Sequence, residues 1–91
     1  MSVVERELEI VNRLGLHARA AAKLAKIAES FSSSIRVEKD GHVADAKSVM
    51  GMLLLCGQIG TKIRVRADGV DAADAVEAIA TLVEGRFGEP R

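Results

Sequence analysis

Apolar and polar side chains alternate over residues 4–11, with Leu8 and Ile10 on one face and Glu5, Glu7 and Glu9 on the other. That is the period of a half-buried β-strand, and only Arg6 breaks it. Over residues 18–31 the period lengthens, as Ala21, Leu24, Ala25, Ala28 and Phe31 recur every three or four positions. This spacing predicts an amphipathic helix whose other face stacks Arg19, Lys23 and Lys26. Ser32-Ser33-Ser34 ends the helix, and Ile35 to Glu38 alternate again as a second strand. Asp40-Gly41 then signals a tight hairpin, because both central residues of such a turn need positive φ. Val43 to Ala46 should return antiparallel. Ser48 is a plausible N-cap for a short helix over Val49 to Leu55, a run too apolar all round for an ordinary surface helix. Part of it is free to face a partner, while Met52 or Leu55 should be buried.

Gly57 and Gly60 bracket a connection, after which Ile63, Val65 and Ala67 alternate with Lys62, Arg64 and Arg66 in a fourth strand. Asp71 precedes a last helix carrying Ala72, Ala75, Val76, Ile79, Leu82 and Val83 at helical spacing, with Gly85 near its end. The tail Gly88-Glu89-Pro90-Arg91 is expected to be loose. The element order is therefore βαββαβα. Every strand has one apolar face, so helices should cover one side of the sheet only. The expected fold is an α+β open-faced β-sandwich, a four-stranded antiparallel sheet with three helices on one face. Residues 1–91 read as a single domain, with no repeat or linker to divide them.

Composition narrows the function. Thirteen basic residues cancel thirteen acidic ones, so there is no basic block of the kind that binds nucleic-acid phosphates. Phe31 and Phe87 are the only aromatic residues, which argues against base-stacking platforms and aromatic ligand cages. Cys56 stands alone, so neither an intrachain disulfide nor a paired-thiol metal site is expected, and a reducing cytosol fits. Cys56 itself is expected to be a small buried residue. No apolar run suits a membrane span and no signal-peptide pattern opens the sequence, so the expectation is a cytoplasmic protein without membrane insertion.

Gly15-Leu16-His17-Ala18-Arg19 is the segment that carries chemistry. It follows a strand, turns at a glycine and places a histidine where the next helix begins. Helix N-terminal amides and the positive end of the dipole favour an anion, and the Arg19 guanidinium can grip two oxygens of a phosphate. The imidazole of His17 would be the covalent acceptor. A helix-capping or partly exposed histidine is the competing reading. His42, after the hairpin turn, has no supporting pattern and reads as a solvated loop residue.

Taken together, Gly15-Leu16-His17-Ala18-Arg19 and Lys47-Ser48-Val49-Met50-Gly51-Met52-Leu53-Leu54-Leu55 resemble the histidine-containing phosphocarrier (HPr) family of the bacterial phosphoenolpyruvate-dependent phosphotransferase system. Each motif alone is short, but they occur in the family's order within the expected run of elements. The resemblance implies that His17 accepts a phosphoryl group at Nδ1 from phosphorylated enzyme I and passes it to EIIA-type acceptors, with Arg19 stabilising the transferring group. It implies no cofactor or metal, and a carrier rather than an enzyme. Ser48 matches the family's regulatory serine, the target of an HPr kinase/phosphorylase. Val49, Met50 and Leu53 are expected to form an apolar docking patch, with Ala18 beside it and Arg19, Lys23 and Lys26 as a basic rim. A monomer is expected. Two positions depart from the family: Ala20 stands where a proline usually follows the arginine, and Ile59 where a polar residue is common. Alanine is less rigid than proline but restores an N–H that can point at a phosphate.

Two further readings remain open at the level of sequence. One is a regulatory carrier of a nitrogen-linked or incomplete phosphotransferase chain that moves no sugar. The other is a small effector-binding regulatory domain, a common use of small sheets covered by helices.

Overall fold

Alternation places one row of aliphatic side chains on the same side of four strands, and the helices close over that row. A computed structural model describes residues 2–91. The strands are β1 (Ser2–Glu9), β2 (Ser34–Lys39), β3 (His42–Asp45) and β4 (Lys62–Gly69), and the helices α1 (Ala18–Glu29), α2 (Val49–Leu54) and α3 (Ala72–Glu84). The sheet order is β1-β4-β2-β3, with every neighbouring pair antiparallel. The architecture is the expected α+β open-faced sandwich. α3 lies on β1 and β4, α1 packs beside α3, and α2 packs against α1 and β3.

The core is almost wholly aliphatic. Ile35, Val37, Ile63, Val65 and Ala67 meet Leu24, Met52, Val76, Ile79 and Val83, all at most 1% exposed. Both Met52 and Leu55 are buried, so the short helix is anchored along one side. The opposite sheet face is charged, with Glu5 opposite Arg66 and Glu7 opposite Arg64 in register. An Arg66 Nη1 to Glu5 Oε2 contact of 3.1 Å shows the cross-strand pairing. Arg6, the residue that breaks the alternation, sits opposite Val65 and thus on the helix side of an edge strand. Its guanidinium reaches Glu77 of α3 at 3.1 Å, which explains a charge on the apolar face.

Two junctions carry detail beyond the expected pattern. Asp71 flanks α3 but makes no capping bond of its own. Its carboxylate accepts instead from the amides of Ser32 (2.8 Å) and Ser33 (2.9 Å) and from the Ser33 hydroxyl, tying the α1–β2 loop to the start of α3. The Ser33 hydroxyl, followed by the backbone amides, holds the Asp71 carboxyl below its ordinary value. His42 is exposed as expected, but it opens β3 rather than lying in a loop.

Candidate functional site

The end of β1 is fixed to the loop before β4 by Ile10 N–H to Thr61 O (2.9 Å) and Gly60 N–H to Ile10 O (2.8 Å). From there the chain turns tightly toward α1. Gly15 adopts φ +68°, and a Cβ on it would stand 2.4 Å from the carbonyl oxygen of Gly57. A glycine is required on both counts. The next amide, that of Leu16, donates to the same Gly57 oxygen at 2.7 Å, so the start of α1 is bolted to the segment leaving α2.

His17 is the N-cap of α1, with extended backbone angles (φ −79°, ψ 178°), and its carbonyl accepts from Ala21 N–H at 2.8 Å. The imidazole Nδ1 accepts from the amide of Arg19 at 3.3 Å. Helix geometry leaves the amides of Ala18 and Ala20 without intrahelical acceptors at the same end. The Arg19 side chain enters no ion pair among the described residues. Ala20 itself is fully buried against the core, where a small side chain fits.

The tail corrects the sequence reading. It is not loose: Phe87 is fully buried, and Arg86, Phe87 and Gly88 form a left-handed turn at φ values of 60°, 54° and 78°. Lys23 Nζ donates to Phe87 O at 2.6 Å, so this exposed lysine of the expected rim also ties the tail to α1. Beyond the turn, the Glu89 carboxylate pairs with His17 Nε2 through one oxygen. The other accepts from Asn12 Nδ2 at 3.0 Å, and the same nitrogen donates to Gly15 O at 2.8 Å. Two acceptors around one amide nitrogen fix the orientation of Asn12, whose buried Oδ1 has no partner among the described residues. The His17 ring and then the Asn12 amide hold the Glu89 carboxyl below its ordinary value, against a smaller opposing effect of burial. Neither Asn12 nor Glu89 stood out in the sequence. A single polar residue inside a glycine turn and an acidic residue in a tail carry no periodic signal.

At the second motif, Ser48 caps α2 by accepting the amide of Gly51 on Oγ at 3.0 Å. Val49 and Met50 are exposed, by 36% and 68%, whereas Leu53 is partly buried against the core. Leu54, at 77%, is the larger exposed residue of α2, and Leu14 and Ile59 are exposed as well. Cys56, expected to be buried, is exposed. It takes the left-handed conformation that ends α2 (φ 53°), one step past the buried Leu55, and so turns outward. Ala18 and Lys26 lie on the exposed side of α1.

A strand, a glycine turn and a histidine-capped helix are thus coupled to a serine-capped apolar helix within one small sandwich. The family model described as the PTS HPr component phosphorylation site matches residues 4–85. The chain belongs to the HPr family. It is 41% identical over 87 residues to the phosphocarrier protein HPr of Cupriavidus necator, covering 96% of this chain and 98% of that one. It is also 43% identical to the phosphocarrier protein NPr of Shewanella violacea over 89 residues, or 98% of each. The crystal structure of HPr-C-His from Thermoanaerobacter tengcongensis superposes with a TM-score of 0.93 at 42% identity, covering 97% of this chain and 99% of that one. An HPr structure from the same organism, matched at a TM-score of 0.77 and 44% identity over 90% of this chain and 94% of that one, is described as a dimer. HPr membership therefore does not by itself support the expectation of a monomer. Among the described residues no helix is long and apolar enough to cross a membrane.

Proposed function

We propose that this HPr-family protein is a phosphoryl carrier in which His17 accepts a phosphoryl group at Nδ1 from phosphorylated enzyme I and hands it to an EIIA-type acceptor. The observation that carries this reading is the placement of Nδ1 at the amino end of α1, against the Arg19 amide. A lone pair there can attack phosphorus while the amides and dipole of the helix end receive the charged oxygens. Arg19, without an ion-pair partner among the described residues, supplies a planar donor fork to the group in flight. The chain carries the group covalently and turns over only with its partners, as a cytoplasmic single-domain protein. Val49, Met50 and Leu53, together with the more exposed Leu54, suit an apolar docking surface, rimmed by Arg19 and Lys26 and reaching Ala18. Phosphorylation of Ser48 by an HPr kinase/phosphorylase would add charge beside that surface and oppose docking.

Incubation with phosphoenolpyruvate and enzyme I tests the reading. The chain should gain one acid-labile, base-stable phosphate, and His17→Ala should gain none. An effector-binding domain would gain none in either form. The NPr relative, as similar as the HPr one, favours a second reading, a regulatory carrier in a nitrogen-linked chain. Side-by-side phosphorylation by the enzyme I of each chain separates them, since the true donor should be the faster.

A further inference from the structure

The Glu89 carboxylate is delivered to the ring of His17 by a packed element. Phe87 is fully buried, Lys23 holds its carbonyl at 2.6 Å, and the Glu89 amide closes onto Arg86 O at 2.9 Å. The carboxylate is itself oriented, because one oxygen is taken by the buried Asn12 amide at 3.0 Å. The side chains of His17 and Glu89 are only 25% and 11% exposed. An ionised carboxylate only accepts, so the ring nitrogen it faces must carry a proton. On the other side of the ring, Nδ1 accepts the Arg19 amide at 3.3 Å and must therefore be bare. Two independent contacts specify the same tautomer.

We infer that Glu89 is a positioning residue for the acceptor histidine, keeping the proton on Nε2 of His17 through the whole transfer cycle so that Nδ1 is the nucleophile and a neutral imidazole the leaving group. The inference rests on the reading of His17 as the acceptor. In the loading step the Nδ1 lone pair attacks phosphorus, the bond from phosphorus to the donor breaks, and its electron pair leaves with the donor. The ring becomes a cation that still bears the Nε2 proton, and the carboxylate faces the developing charge. In the unloading step the acceptor attacks phosphorus, the P–Nδ1 bond breaks, and its electron pair returns to Nδ1. With the Nε2 proton in place the departing ring is neutral imidazole; without it the ring would have to leave as imidazolate, a much poorer leaving group. No proton is gained or lost by Glu89. Both steps run faster for the same reason, which suits a carrier that must load and unload. Glutamine cannot substitute, because its single acceptor oxygen cannot serve both Asn12 and His17.

The full chain is compared with Glu89→Gln and Glu89→Ala, using phosphoramidate as a small donor that needs no docking surface and following the His17 phosphate by 31P NMR. Loading of His17 should be about ten-fold slower in both variants, the scale of effect of removing a carboxylate that orients a reacting histidine. Spontaneous hydrolysis of the loaded protein should slow in parallel, while both variants keep a cooperative thermal unfolding transition that shows them to be folded. A contact that merely packs the tail would leave the small-donor rate unchanged in a folded variant, and that result overturns the inference. So does faster loading of Glu89→Ala, which would make the tail an obstruction in front of the ring. Phosphoenolpyruvate-dependent labelling of His17→Ala through enzyme I is a distinct failure: it removes the reading of His17, and the role of Glu89 with it.

Discussion

α1 and α2 begin in similar ways and for different ends. Both are capped by a side chain that accepts a backbone amide, Ser48 Oγ from Gly51 at 3.0 Å and His17 Nδ1 from Arg19 at 3.3 Å. The serine reaches the third helical amide, the usual geometry of a stabilising cap. The histidine reaches only the second, at a longer distance, and its ring is turned so that the far nitrogen meets Glu89. Ser48 completes a six-residue helix with one buried side chain of its own, Met52, so the cap matters to that element. α1 has twelve residues and five buried side chains and does not depend on its cap. A polar group at a helix start that the helix can do without is available for other chemistry.

Replacing each cap by alanine is the sharpest way to break this comparison. His17→Ala should abolish phosphorylation by enzyme I and change stability by no more than about 1 kcal/mol, read by denaturant unfolding. Robust labelling, or a large loss of stability, would show that the two helix starts are not divided between chemistry and structure. Arg19→Lys comes next in size. Lysine keeps the charge but loses the planar fork, so transfer in rapid-quench assays should slow by roughly ten-fold. Unchanged rates of loading and unloading would mean that the helix amides suffice.

Ser48 is expected to show the reverse pattern. Ser48→Ala should cost more stability than His17→Ala, roughly 1–2 kcal/mol, and leave phosphorylation of His17 intact. Ser48→Asp should keep the cap, since aspartate accepts the same amide, yet weaken the binding of enzyme I by adding charge beside the apolar surface. Calorimetric titration at two salt concentrations reads this, because screening should shrink the penalty. Equal binding of the parent and Ser48→Asp at low salt would make Ser48 a structural cap and move the docking surface elsewhere.

Most of the sandwich was legible because its elements bury one face each. Leu8, Ile35, Val37, Ile63 and Val65 announce the sheet by alternation, and Ala21, Leu24 and Ala28 announce α1 by their spacing. The glycine turn and the histidine were legible as a motif between a strand and a helix, and the glycine has a structural reason to be there, since a Cβ would stand against Gly57 O. What stayed hidden depends on contacts distant in sequence. Glu89 reaches His17 from 72 residues away, and Asp71 reaches Ser33 from 38. The tail reads as loose from its glycine, proline and charges, whereas a single aromatic ring, Phe87, pins it to the core. Cys56 was misplaced because its type favours burial, while the left-handed end of α2 turns it outward.

The same two helix starts should separate under acid, with the smallest of these effects. The carboxyl of Glu89 is held below its ordinary value of 4.5 by the His17 ring and Asn12, so the folded protein keeps that group ionised where the unfolded chain begins to protonate it. A depressed folded-state value means that the contribution is fully present above the unfolded value and is lost as pH falls through the folded one. The stability difference between the parent and Glu89→Gln should therefore be constant near neutrality and shrink once the pH drops below 4.5. The cap of α2 involves a hydroxyl, which does not titrate there, so the difference between the parent and Ser48→Ala should stay level over the same range. Both differences are read from urea midpoints across a pH series. A Glu89→Gln difference that persists unchanged well below the folded-state value would mean that the carboxylate contributes by packing alone, and the end of α1 would then be held in the same manner as the end of α2.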